Sequence, residues 1–283
     1  MRPLDVARLR AYRVPDARER YDARDAILYA LGVGAGLEPT VDELSLVFER
    51  ELRALPTLAL VLGTPGFWPM DPRTGIDWPR VLHGEQTLRL HRPLAPGGEV
   101  VGATTITDIA DKGPGGAALV RARRTLEAPG GEPIAEMEEV WVLRGAGGFG
   151  GTRALPGPLA PPLPDRAPDA GVTLPTSSQQ ATLYRLSGDR NPLHVEPEAA
   201  RVAGFDRPLL HGLSAMGLAA RALIRLHCDG DPERLSMLAA RFTAPVYPGD
   251  AVAVETWRDG DALSFRAKVG AATVMTGRGA IGF

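Results

Sequence analysis

The sequence predicts an α+β protein of two similar halves, in each of which an antiparallel sheet wraps around a central helix. The first observation is an internal repeat, because Ala26-Ile-Leu-Tyr-Ala-Leu31 matches Ala181-Thr-Leu-Tyr-Arg-Leu186 at an offset of 155 residues. The second is a long apolar run with helical spacing that precedes several short strand-like segments. The third is a Gly- and Pro-rich stretch at residues 145–168, which has neither helical nor strand periodicity and separates the halves.

The N-terminal half contains consecutive strand-like segments joined by short turns, which indicates antiparallel pairing. They lie at residues 84–90, 100–109, 117–128 and 132–143. Two further echoes connect the halves: Val81-Leu-His-Gly84 resembles Leu209-Leu-His-Gly212, and residues 89–97 resemble residues 241–249. We therefore expect the N-terminal half to repeat both the strands and the long helix.

The C-terminal half begins with helical signals. Thr176 followed by Gln179 has the form of a capping box that opens a helix ending near Gly188, and a short helix should follow Pro197. Residues 209–227 predict the central helix, because their apolar positions have helical spacing and are numerous enough for burial against a sheet. Those positions are Leu213, Met216, Ala220, Leu223, Ile224 and His227.

Four strand-like segments complete this half at residues 237–242, 251–257, 262–269 and 272–279. Pro-Gly-Asp and Asp-Gly-Asp turns separate them. We divide the chain into an N-terminal unit at 1–145, a linker at 146–170 and a C-terminal unit at 171–283.

Composition limits the function classes. The 283 residues carry a formal net charge of -2, which argues against a general nucleic-acid binder. Cys228 is the single cysteine, so neither an intrachain disulfide nor a cysteine-based zinc site can form. No signal-peptide pattern or membrane-length apolar run is present. We expect a cytoplasmic protein whose partner is a small molecule rather than a nucleic acid or a membrane.

One segment has the residues for acid-base chemistry: Tyr184-Arg-Leu-Ser-Gly-Asp-Arg-Asn-Pro-Leu-His194. It places the carboxylate Asp189 and the imidazole His194 five residues apart, with Asn191-Pro192 between them. Pro192 has no amide hydrogen and forces Asn191 toward extended geometry, so we expect a loop that can direct both side chains to one point. Such a pair can hold and activate a water molecule.

This segment, with Leu210-His-Gly212, resembles the signature of hydratase 2, the MaoC-like (R)-specific enoyl-CoA hydratases. Four other stretches resemble the non-catalytic half of eukaryotic-type members, such as the hydratase part of peroxisomal multifunctional enzyme type 2. They are Tyr29-Ala-Leu-Gly-Val-Gly-Ala35, Val81-Leu-His-Gly-Glu-Gln86, Asp111-Lys-Gly113 and Gly147-Gly-Phe-Gly-Gly151.

The resemblance implies a double hotdog fold and the reversible (R)-specific hydration of trans-2-enoyl-CoA to (3R)-3-hydroxyacyl-CoA in fatty acyl metabolism, including β-oxidation. It implies no metal and no redox cofactor, since the substrate itself carries coenzyme A. It also favours a homodimer, although two hotdogs in one chain would let a monomer be complete.

Hydration needs a base, an acid and donors for the negative charge on the thioester oxygen. His194 fits as the base and Asp189 as the acid, although the two labels within the pair stay open. Asn191 either fixes the loop or the water, or forms only the turn that Asn-Pro commonly makes. Gly212 offers an unpaired amide at a helix N-terminus for the oxyanion, or only permits close packing.

Substrate-binding candidates follow from the same resemblance. It assigns coenzyme A contacts to His83, Gly84, Lys112 and Phe242. Within the motif itself, Arg190, Pro192 and Leu193 are further candidates.

The two halves differ at the catalytic positions. The offset of 155 places Gly34 opposite Asp189, Gly36 opposite Asn191 and Pro39 opposite His194. The chain should therefore have one active site, and the N-terminal half should leave room for a longer acyl chain. The glycines could also simply allow a tight turn.

Two other functions are compatible with a hotdog fold. An acyl-CoA thioesterase would usually place a carboxylate on the central helix, and residues 209–227 contain no Asp or Glu. A non-catalytic acyl-CoA binding subunit would be expected to lack the Asp189 and His194 pair.

Overall fold

Ten antiparallel strands form one continuous sheet in the computed structural model, which describes residues 3–38, 43–157 and 162–283. The strands are β1 (Ala17–Tyr21), β2 (Val81–Leu90), β3 (Gly98–Asp111), β4 (Ala118–Glu127), β5 (Pro133–Leu143), β6 (Ala170–Pro175), β7 (Leu235–Phe242), β8 (Ala251–Asp259), β9 (Ala262–Val269) and β10 (Ala272–Ile281). Their order is β1-β3-β4-β5-β2-β7-β10-β9-β8-β6. Each half of the chain thus supplies five adjacent strands in the same arrangement.

All eight predicted strands are confirmed, with ends shifted by a few residues. The prediction missed β1 and β6, the two edge strands of the sheet. β1 reads Ala-Arg-Glu-Arg-Tyr and β6 begins at Ala170, at the end of the predicted linker. Short edge strands with charged or small residues are common in proteins, and they give little apolar periodicity to detect.

The halves join where β2 pairs with β7, with Leu88 facing Leu238. The similarity between residues 89–97 and 241–249 reflects structural equivalence, because Arg89 and Arg241 are each the next-to-last residue of these two paired strands. The expectation that Val81–Gly84 and Leu209–Gly212 are structurally equivalent is wrong. The first lies in β2, whereas the second leads into a helix.

The helices are α1 (Val6–Ala11), α2 (Ala23–Gly32), α3 (Leu44–Val47), α4 (Gln180–Tyr184), α5 (Pro197–Val202) and α6 (Gly212–His227). The predicted central helix of the C-terminal half and the short helix after Pro197 are confirmed as α6 and α5. A second long central helix is wrong for the described residues of the N-terminal half. Residues 56–60 form only a short 3-10 turn there, in a region interrupted by prolines, which cannot continue a helix.

A capping motif does open the segment before the loop that carries Asp189 and His194, one residue later than predicted. The Ser177 hydroxyl accepts a hydrogen bond from the Gln179 amide at 3.0 Å, and the Ser177 amide donates to the Gln180 side chain at 3.2 Å. Thr176 instead donates its hydroxyl to the Asp250 carbonyl. The helical segment then ends at Gly188, whose φ of +118° needs glycine.

Helix α6 is buried along most of its length. It belongs to the C-terminal half and also contacts the N-terminal half. A side chain at Gly217 would bring its Cβ within 2.5 Å of Val33, so glycine lets the end of α2 rest on α6. The buried Arg221 guanidinium donates to both carboxylate oxygens of Glu43, at 2.9 and 2.8 Å, and to the Val33 carbonyl at 3.1 Å. These contacts hold the N-terminal half against the helix that carries Gly212.

The Gly-rich stretch has a structural role around one buried carboxylate. Asp111 accepts hydrogen bonds from the amides of Gly113, Gly148 and Gly150, and these amides hold the pKa of its carboxyl below the usual range. The two sequence motifs at residues 111–113 and 147–151 therefore come together at the end of β3. Within the described ranges, no helix is both long and apolar enough to cross a membrane.

Candidate active site

Asp189 lies in the loop between the 3-10 turns at Arg185–Ser187 and Pro192–His194, and His194 is the last residue of the second turn. The Asp189 carboxylate accepts a hydrogen bond from the Asn191 amide at 3.1 Å. The Asn191 side chain accepts one from the Leu193 amide at 3.0 Å, which is the turn that Asn-Pro was expected to make. The predicted loop geometry is thus confirmed, and Asn191 also faces the cavity that the pair lines.

The hydrogen bonds of His194 define its tautomer. Its Nδ1 lies 3.0 Å from the Leu209 carbonyl oxygen, which can only accept, so Nδ1 carries the proton. In the neutral ring Nε2 is then left with a free lone pair. Burial lowers the pKa of His194, an effect that the nearby Asp189 charge opposes, so the ring is neutral at physiological pH.

His211 stacks on His194, with ring centroids 3.6 Å apart and planes inclined by 25°. Its Nε2 donates to the backbone carbonyl of Asp189 at 3.2 Å. Burial, and next the proximity of His194, lower the pKa of His211 well below its usual value. His211 therefore contacts both the loop and the His194 ring, as an uncharged neighbour.

One Asp189 oxygen and one ring nitrogen from each of His194 and His211 lie within 4.8 Å of one another. A water molecule hydrogen-bonded to two of these atoms can span such a distance. Bound metal would require the lone pairs of its ligands to converge. Each imidazole already gives one nitrogen to a backbone carbonyl, at Leu209 and at Asp189, so each ring keeps only its other nitrogen for a water molecule or another ligand.

His83 forms the opposite wall of the same cavity. It lies at an irregularity in the pairing of β2 with β5, and its ring packs between Trp141 and Phe242 at 4.5 and 5.1 Å. Burial lowers the pKa of His83 to about 4, although Asp189 opposes the shift. Its Nε2 is buried without a hydrogen-bond partner, which makes it available to a ligand.

Gly84 permits this arrangement without facing the cavity. A side chain there would place its Cβ 2.8 Å from Val142, so only glycine lets β2 remain close to β5 beside His83.

Gly212 is the first residue of α6 and borders the cavity. Its amide is among the first amides of the helix, which have no partner within the helix and carry partial positive charge. A Cβ at this position would lie 3.3 Å from the Phe242 ring, so glycine also permits close packing. Both readings of Gly212 from the sequence are therefore compatible with the structure.

The reaction cavity, as we call this space, has a volume of about 290 Å³. It brings together seven of the sequence candidates: His83, Asp189, Asn191, Leu193, His194, Gly212 and Phe242. Most of its other lining is apolar, including Leu82, Val246 and Met275. Such a cavity with a few converging polar groups is typical of a small-molecule site.

Besides Gly84, three candidates do not line it. Lys112 is exposed at the turn between β3 and β4, where its ammonium donates to the Arg153 carbonyl at 3.0 Å. Arg190 is exposed on the loop that carries Asp189 and His194, and Pro192 begins the 3-10 turn. Their contacts with substrate stay predictions.

The N-terminal counterpart of the loop is a turn. Gly34 and Gly36 have φ of +84° and +75°, so the expectation of a tight turn that needs glycine is confirmed. Pro39, the predicted counterpart of His194, lies outside the described residues.

Sequence reasoning missed several residues that shape the site. His211 was visible only as part of the Leu-His-Gly motif, and nothing local indicated that it stacks on His194. Trp141 and Glu139 lie on β5 and reach the site through pairing between distant strands.

Comparison with protein families divides the chain into two matches. Residues 160–278 match the model described as "MaoC like domain", and residues 20–145 match "MFE-2 hydratase 2 N-terminal domain". The chain is 43% identical over 241 residues to the 3-hydroxyacyl-thioester dehydratase Y of Mycobacterium tuberculosis, covering 83% of this chain and 81% of the relative. It is 36% identical to the peroxisomal enoyl-CoA hydratase 2 of Arabidopsis thaliana, covering 92% and 89%.

Solved structures support the fold. A MaoC-like dehydratase from Phytophthora capsici aligns with a TM-score of 0.84 and 32% identity over 99% of both chains. A Mycobacterium tuberculosis protein described as having a double hotdog fold aligns with a TM-score of 0.57 and 18% identity, covering 96% of this chain and 97% of its own. The predicted double hotdog fold is thereby confirmed.

Proposed function

The chain belongs to the MaoC-like dehydratase family in its two-part hydratase 2 form, and we propose that Asp189 and His194 carry its reaction. That reaction is the reversible (R)-specific hydration of trans-2-enoyl-CoA to (3R)-3-hydroxyacyl-CoA, which makes the protein a hydro-lyase. The observation that supports the assignment most directly is the neutral His194, whose Nδ1 proton is held by Leu209 while Nε2 stays free beside Asp189.

The proposed chemistry uses one water held between the two side chains. His194 Nε2 takes a proton from this water as its oxygen bonds to C3 of the enoyl group. The electron pair of the double bond moves toward the thioester oxygen, where the Gly212 amide stabilises the charge. The proton that His194 took then passes to the Asp189 carboxylate, which gives it to C2, so both side chains return to their starting state. No step in this scheme needs a metal or a redox cofactor.

The direct test is incubation of the purified protein with crotonyl-CoA and with longer trans-2-enoyl-CoA substrates, followed by chiral analysis of the product. We expect loss of the enoyl absorbance and formation of the (3R) alcohol. Release of free coenzyme A without hydration would instead indicate a thioesterase. Binding without turnover would indicate a non-catalytic acyl-CoA subunit.

Lys112 is proposed to contact the phosphates of coenzyme A from the turn between β3 and β4. Replacing it with alanine should raise KM for enoyl-CoA by about fivefold and change kcat little, because an exposed ion pair contributes at most about 1 kcal/mol. The same variant should show no KM change with an enoyl-pantetheine thioester, which lacks those phosphates. Lys268→Ala, at the other lysine of the chain, is the matched control. An unchanged KM for enoyl-CoA would remove Lys112 from the site.

We further propose that the protein acts in the cytoplasm as a homodimer and serves β-oxidation. The relatives include peroxisomal forms, so fractionation of the native cell has to decide the compartment. Light scattering of the purified chain would separate the dimer from a complete monomer of two hotdogs.

A further inference from the structure

Behind Asp189 lies a second space of about 80 Å³, which we call the inner cavity. It adjoins the reaction cavity, with which it shares the lining residues Phe67, His83, Trp141, Asp189 and Leu213. On its other side it adjoins a third cavity of about 270 Å³, with which it shares Val61, Thr64, Gly66, Ser187 and Gly188. A chain that extends from the reacting carbons past Asp189 would therefore enter the inner cavity and have room beyond it.

The inner cavity contains a carboxyl group with one free oxygen. Glu139 Oε1 accepts hydrogen bonds from two indoles, Trp68 Nε1 at 3.0 Å and Trp141 Nε1 at 2.9 Å. Its other oxygen, Oε2, accepts none from the described residues. Burial raises the pKa of Glu139, an effect that the two indoles and Arg124 oppose. The carboxyl is thus fixed by one oxygen and exposes the other to the cavity.

A guanidinium lines the same space. Arg124 Nη2 donates to the Leu60 carbonyl at 2.6 Å and contacts the Met137 sulfur, whereas its Nε and Nη1 have no hydrogen-bond partner among the described residues. Arg124 and Glu139 make no direct ion pair, although each influences the pKa of the other. Arg124 and Glu139 are half-buried groups of opposite charge that line one cavity without touching, so part of their hydrogen-bonding capacity remains for a ligand between them.

We propose that the inner cavity binds a hydroxyl group on the acyl chain, so that the protein prefers 2-enoyl-CoA substrates that carry an alcohol beyond the double bond. A hydroxyl accepts a hydrogen bond from Arg124 and donates one to Glu139 Oε2 at the same time. A plain hydrocarbon chain would displace water from both charged groups and replace none of their hydrogen bonds. This inference rests on the proposed function and names the substrate class of the same site.

Two of the residues that the family resemblance assigns to coenzyme A, Lys112 and Phe242, do not line the inner cavity, whereas His83 lines both cavities. The walls of the inner cavity come mainly from the N-terminal half, which lacks the long helix of its counterpart in the described residues. The acyl group is consequently the part of the substrate that reaches Glu139 and Arg124.

The test compares kcat/KM for trans-2-octenoyl-CoA with that for the same chain hydroxylated at one carbon at a time, from C6 to the chain end. At the best position we expect a preference of at least about tenfold for the hydroxylated chain, as hydrogen bonds to charged groups provide. Glu139→Gln should reduce that ratio to near one. The variant keeps an acceptor for both indoles, so a purely structural role of Glu139 would leave the ratio unchanged.

Taking the ratio within each protein cancels any general loss of activity. Glu136→Gln is the matched control, since it makes the same change at an exposed position of the same strand and should keep the wild-type ratio. If the wild-type protein hydrates every hydroxylated chain no faster than the plain chain, the hydroxyl subsite is wrong while the hydratase function stands. Failure to hydrate any enoyl-CoA would overturn the proposed function itself.

Discussion

Asp189→Asn is expected to lower kcat for hydration of crotonyl-CoA by at least about 100-fold, the smallest contribution typical of general acid-base catalysis. Asparagine has the same shape, and its side-chain oxygen can still accept the hydrogen bond that the Asn191 amide donates at 3.1 Å. It can neither deliver nor take up a proton. The loss should therefore appear in kcat measured by enoyl absorbance, with an unchanged melting temperature.

Asp206→Asn provides the matched control, because Asp206 is exposed and does not line the reaction cavity. We expect this variant to retain wild-type turnover. If Asp189→Asn also retained near wild-type turnover while folded, Asp189 would not be the acid of the reaction.

Asp189→Asn should also change the pKa of His194. The Asp189 charge opposes the effect of burial on the pKa of His194, so its removal should lower that pKa further. Titration of the His194 ring by NMR in both proteins would detect the shift. A pKa of His194 that is identical in the two proteins would mean that the side chains do not interact.

The sequence was most informative where chemistry is local. The Asn191-Pro192 pair dictated an extended residue and a turn, and the structure places Asp189 and His194 together as that geometry predicts. Gly188, Gly34 and Gly36 adopt positive φ for the same local reason. Strand positions in both halves were also predictable, because half-buried strands alternate apolar and polar residues.

Contacts between distant segments could not be predicted in this way. The stacking of His211 on His194 depends on how α6 docks behind the loop, and the convergence of Trp68 and Trp141 on Glu139 depends on the register of β5. The absence of a second long central helix from the described residues of the N-terminal half could not be predicted either. An internal repeat indicates common descent of two segments, but prolines at positions such as 56 and 69 decide the local conformation.

His194→Gln is expected to reduce kcat by at least about 100-fold as well, because an amide has no basic lone pair to accept a proton from water. A glutamine can still donate to the Leu209 carbonyl that now holds Nδ1, so the loop should remain folded. The measurement is turnover with crotonyl-CoA, and His91→Gln at a partly exposed position outside the reaction cavity is the control.

The pH dependence of kcat/KM for the wild-type protein should reflect the titration of His194. Since the neutral ring is the base, kcat/KM should be constant near pH 7 and fall as the pH drops through the pKa of His194. Burial places that pKa below the usual 6.5, so the midpoint of the decline should lie below pH 6.5. A decline centred above this value would assign the acidic limb to a different group.

Combining both substitutions distinguishes a shared water from two independent contributions. If Asp189 and His194 act on one water, either single variant already removes its activation, and the double variant should be about as slow as the slower single one. Independent roles would instead multiply the two losses. Rates that multiply would contradict the single bound water on which the proposed proton transfers depend.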